Sequence, residues 1–185
     1  MRNTLDNLYR ATLWLSALCL IAIALLVGAQ LAGRLIDGAL ALLTLPRTDF
    51  VILSLNEICG YLLAGASFLA LAGTLKAGAH IRVTLVLSAF SERLRRFIEI
   101  WAFGFAAAAC GYGTYQLANF TWVSLRFHEV SPGVIRVPLA IPQAAMAFGA
   151  LILTIALVDE LFIVVRGGWP TFRTAEDAIT LGKEG

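Results

Sequence analysis

Few residues in this chain have the chemistry to act. Glu57 is the acidic residue set against apolar sequence, and a carboxylate there could couple proton or cation movement. Its position argues otherwise, because it opens the apolar run instead of interrupting it. A charge at the bilayer centre costs roughly 2.5–3.5 kcal/mol, and less near the interface. Glu57 therefore reads as a carboxylate near the outer surface. It either marks a helix start or pairs with a basic residue of this chain or of a partner. Lys76, His80 and Arg82 cluster at the other end of the run. They suit anionic headgroups or a docking contact with another subunit. Arg93, Arg95 and Arg96 follow as a solvated basic face.

The two histidines, His80 and His128, are the only imidazoles available to a haem or metal. The three cysteines, Cys19, Cys59 and Cys110, lie in apolar sequence with no C-x-x-C spacing and read as small packing residues. No H-E-x-x-H, phosphate-binding loop, G-x-S-x-G or dinucleotide fingerprint is present. The expectation is a chain with no catalytic residue, no metal, no cofactor and no nucleic-acid partner.

The elements that must position these residues follow from hydropathy. The chain has 185 residues, 59% hydrophobic and 14% charged, whereas soluble domains carry about 25% charged residues. Residues 11–33, 58–75, 100–125 and 137–158 lack charge, and a membrane helix needs about 20 predominantly apolar residues. Backbone groups in lipid must satisfy one another, so spans are helices. The sequence predicts an all-α integral membrane protein with four transmembrane helices, at about 11–33, 52–75, 98–124 and 138–160. These form one membrane domain, 1–165, followed by a short polar tail, 166–185. Val27-Gly28-Ala29 would suit signal cleavage, but the apolar run continues to Gly33 and favours a retained span. The connector 34–49 holds a short apolar piece, 38–45, read as a surface-lying or loosely helical segment ended by Pro46.

Between the second and third spans the apolar positions 83, 86, 87, 90, 94, 97, 98 and 101 keep a one-face helical rhythm. They predict an interfacial amphipathic helix at about 83–96. With four crossings, ten of the fourteen Lys and Arg residues share a side with both termini, so both termini are expected in the cytoplasm. His80 and His128 then lie on opposite sides and cannot share a metal. In the second span Cys59, Ala66, Ala70, Gly73 and Ala77 form a small-residue stripe, echoed by Ala24, Gly28 and Ala32 in the first. Such stripes let helices approach closely. The partner is left open between this chain and another.

Glu57-Ile58-Cys59-Gly60-Tyr61, the apolar run after it, and Lys76-Ala77-Gly78-Ala79-His80-Ile81-Arg82-Val83 together resemble the small membrane subunit of tripartite ATP-independent periplasmic (TRAP) transporters, the DctQ-like family. That family shows a Glu-x-x-Arg-Tyr start and a Gly-x-His-Ile-x-Val-Asp motif. Pro138 and Pro142 at the opening of the last span are also similar. Gly60 and Thr84 depart from the family's arginine and aspartate, so any contact those two make must be made otherwise here.

The resemblance implies a non-catalytic scaffold in the bacterial inner membrane. Its partners would be the large TRAP membrane subunit, a periplasmic solute-binding protein and the lipid bilayer. The system would take up an organic acid with sodium. The residues expected at the subunit contact are Glu57, Tyr61, Ala66, Ala70, Gly73, Lys76, His80 and Arg82. An alternative is a self-contained homo-oligomeric four-helix exporter or channel, which would need Glu57 as its coupling carboxylate. A membrane anchor for a redox enzyme would need haem-ligating histidines within spans, and none is there.

Overall fold

The computed structural model describes residues 2–77 and 91–168. Four helices account for most of them: α1 (Arg2–Leu42), α2 (Leu55–Lys76), α3 (Glu92–Phe127) and α4 (Ala140–Val165). Among the described residues there is no strand, only an isolated bridge between Val130 and Pro138.

Three of these helices are long and apolar enough to cross a membrane: 5–42, 55–76 and 140–165. This corrects the expectation of four spans. Region 100–125 lacks charge, yet it is not apolar throughout. Only 100–111 of α3 is continuously apolar or small. Glu92, Arg93, Arg95, Arg96 and Glu99 precede that stretch, and Tyr112, Thr114, Tyr115, Gln116 and Asn119 follow it. It falls short of the roughly 20 apolar residues a span needs. With three qualifying helices, the even number of crossings that put both termini in the cytoplasm loses its basis.

Of the expected interfacial helix, 83–90 lies outside the described residues, and 92–96 is the unbroken beginning of α3. In the first connector the structure takes the helical alternative and makes it continuous with the first span: residues 34–42 extend α1, giving 41 residues and a length of about 60 Å at 1.5 Å per residue.

Termination of α1 explains where its helix stops. The Leu45 amide donates to the Leu40 carbonyl (3.0 Å) and the Thr44 amide to the Ala41 carbonyl (3.3 Å). Thr44 takes the left-handed conformation (φ 56°) usually left to glycine. Pro46 follows and bars continuation. The chain then runs back along α1. Thr48 donates through its amide to Asp37 (2.7 Å), Phe50 lies on Gly33, and the Ile52 amide donates to the Gln30 side chain (2.7 Å). Alternate connector residues thus meet successive turns of α1.

The helices form an open row in the order α1, α2, α4, α3. Contacts at Leu13–Gly73 and Ser16–Ala66 make α1 antiparallel to α2. Contacts at Gly65–Ala145 and Gly149–Leu69 make α2 and α4 parallel. Small residues set the seams: Gly149 lies against the Phe68 carbonyl group with no room for a Cβ. Thr114 and Thr154 share a hydrogen bond (3.1 Å) beside Gly111, joining α3 to α4. The apolar core draws on all four helices through Tyr9, Leu75, Phe103, Ile152 and Ala156.

Candidate functional site

Parallel packing of α2 and α4 brings their last turns level. The ammonium of Lys76 sits 2.8 Å from Asp159 and 2.9 Å from Glu160. Glu160 is fully buried, and the side chain of Lys76 is 17% exposed. From α1, Tyr9 places its ring under the same ammonium, 5.5 Å from the centroid, where the ring face attracts a cation. One lysine thus ties three helices. Buried charges persist only when paired and hydrogen-bonded, and this cluster meets that condition through two carboxylates. Its chemistry is cohesive: no metal-ligating group of three or more His, Cys, Asp or Glu occurs among the described residues.

A second polar cluster lies at the opposite end of α2. Glu57 sits in the first turn, where a carboxylate complements the helix dipole. Ser131 of the α3–α4 connector reaches it with its hydroxyl (3.3 Å), and Gly133 lies against the carboxylate with no space for a side chain. Ser131 is buried and holds its own loop, accepting from the Val137 amide (3.3 Å) while its amide donates to the Val137 carbonyl (2.9 Å). Ser54, the residue before α2, accepts from the Ile135 amide (3.0 Å) instead of capping its helix. His128 ends α3 in the left-handed conformation, its ring 2.9 Å from the Leu125 carbonyl. These groups dock a connector.

The residues expected at a subunit contact are scattered over these arrangements. Ala66 accepts the Ser16 hydroxyl at its carbonyl (2.8 Å), and Gly73 lies under Leu13, so both meet α1. Tyr61 and Ala70 are half-buried on α2. Lys76 and Glu57 belong to the two clusters just described. His80 and Arg82 lie outside the described residues. In the sequence Asp159 and Glu160 do no more than close the last apolar run. Their signal was available: opposite charges end two apolar runs that finish at the same level.

A family model described as "Tripartite ATP-independent periplasmic transporters, DctQ component" matches residues 44–167. The chain belongs to this family. The match begins in the connector after α1, covers α2, α3 and α4, and ends just past Val165. Lys76, Asp159, Glu160 and the Glu57 cluster all lie within it, whereas Tyr9 lies before it. A comparison with curated proteins finds no matching relative. As a DctQ-type chain it is a membrane transport component of a three-part system and not an enzyme.

Proposed function

We propose that this DctQ-family chain is the small membrane subunit that packs beside the large TRAP permease subunit in the bacterial inner membrane. There it widens the static scaffold for sodium-coupled uptake of an organic acid delivered by a periplasmic binding protein. The observation that carries the reading is the outward face of α1. Ala24, Gly28 and Ala32 line up exposed, and nothing lies within 4 Å of where a Gly28 side chain would begin. Trp14, Leu25 and Leu35 flank them, each exposed. Small residues between large apolar ones admit a neighbouring helix. The charged groups at the ends of α2, by contrast, are engaged within the chain.

The self-contained exporter fits less well. Its coupling carboxylate would be Glu57, which stands at a helix end against Ser131 and Gly133. Co-purification tests the proposal. The tagged chain, expressed with the large subunit, should bring it down in mild detergent, and Gly28→Leu should reduce the yield of the complex while the chain itself stays folded. Equal recovery with Gly28→Leu would remove α1 from the interface.

A further inference from the structure

The start of α3 and the end of α4 enclose a cavity of about 320 Å³ lined by Arg93, Arg96, Phe97, Ile100, Val164 and Gly168. Glu99 also lines it but is engaged by Arg95 (3.2 Å). Among the described residues neither Arg93 nor Arg96 makes an ion pair, so two guanidinium groups line the cavity with no carboxylate partner among those residues. Ile100 also belongs to a second hollow of about 360 Å³, lined by Trp101, Gly104, Phe105 and Ala108. Ile100 is a wall of both hollows, which follow one another along α3.

Their level relative to the bilayer follows from α4. Its apolar helix ends at Val165 and gives way to Arg166, so Val164 and Gly168 mark the boundary with water. Because α3 runs antiparallel to α4, with Gly111 beside Thr154, the path from Arg96 to Ala108 leads from that boundary into the apolar layer. The order is charged and wet at the top, apolar below.

We propose that this notch binds one anionic phospholipid, its phosphate between Arg93 and Arg96 and an acyl chain along Ile100, Trp101, Gly104 and Phe105. Guanidinium groups are the side chains best matched to phosphate oxygens. Basic residues at the membrane surface favour anionic lipid by about 5.4-fold each, so about 30-fold for both. The proposal stands apart from the subunit reading and does not depend on it.

The test uses Trp101 as a local reporter in the full chain, with Trp14, Trp122 and Trp169 replaced by phenylalanine. Brominated phosphatidylglycerol and brominated phosphatidylcholine are compared as quenchers in mixed detergent micelles. Trp101 should be quenched at about 30-fold lower mole fraction of the anionic lipid, and R93Q/R96Q should bring the two lipids to parity. G104L, which enters open space, should weaken quenching by phosphatidylglycerol with both arginines intact, which keeps the test decisive if R93Q/R96Q fails to fold. Equal quenching by the two lipids in the parent chain overturns the proposal. So does displacement of the lipid by millimolar glycerol phosphate, which would assign the arginines to a free anion.

Discussion

Replacing Lys76 by methionine keeps the length of the side chain and removes the charge that holds α1, α2 and α4 together. Two carboxylates then lie side by side, one of them, Glu160, with no exposure. At the observed 2.9 Å and an effective dielectric of about 20, each pairing is worth about 6 kcal/mol of direct attraction. Desolvation offsets much of this, and Asp159, 32% exposed, keeps some water. Breaking a buried pair from one side typically costs about 3–5 kcal/mol. Lys76→Met should therefore lower the unfolding midpoint by roughly 6–20 °C, at about 2–4 °C per kcal/mol for a chain of this size. The assay is reversible unfolding in mixed micelles, followed by helical circular dichroism. The triple variant K76M/D159N/E160Q removes all three charges together and should recover to within about 1–2 kcal/mol of the parent, since neutral replacement of a buried ion cluster is often tolerated. A K76M loss below about 1 kcal/mol, or a triple variant no better than K76M, would refute the reasoning.

Other expectations bear on the seams and connectors. Gly149→Ala presses a methyl group into the Phe68 carbonyl and should cost about 1–3 kcal/mol, whereas Gly28→Ala, in open space inside α1, should cost nothing and raise micelle stability by up to about 1 kcal/mol. Gly133→Ala displaces the Glu57 carboxylate and should speed tryptic cleavage after Arg136, with the helical circular dichroism unchanged. Thr44→Gly relieves a β-branched residue held at φ 56°. It should raise stability by up to about 1 kcal/mol in the same unfolding assay, the relief of left-handed strain being partly offset by the added freedom of the unfolded chain.

Much of the architecture was legible because lipid leaves a chain few options. Long apolar runs must be helices, and α2 and α4 announce themselves by composition. What failed was the step from uncharged to apolar: 100–125 has no charged residue, yet tyrosines, threonine, glutamine and asparagine occupy its second half. A helical segment after Gly33 is one of two readings, but its unbroken continuity with α1 was hidden because Arg34, Asp37 and Gly38 interrupt the apolar run. In the folded chain Asp37 accepts from Thr48 and the helix runs on. The Lys76 cluster was half visible. Lysine and the two acidic residues are 83 and 84 positions apart, and only the parallel register of α2 and α4 brings them together. The small stripe of α2 was visible as a packing surface, but its partner at Ala66 and Gly73 is α1 of the same chain. The unfilled stripe is the one on α1, and no local sequence feature distinguishes it from the filled one.

The central claim, that this chain is the required small subunit of a TRAP transporter, is tested most directly by reconstitution. The large subunit is placed in proteoliposomes with and without this chain. The cognate binding protein, loaded with radiolabelled organic acid, is supplied outside under an inward sodium gradient. The account predicts sodium-dependent accumulation only when this chain is present, and none when the chain is alone. Undiminished uptake by the large subunit without it, or uptake by this chain alone, would contradict the account.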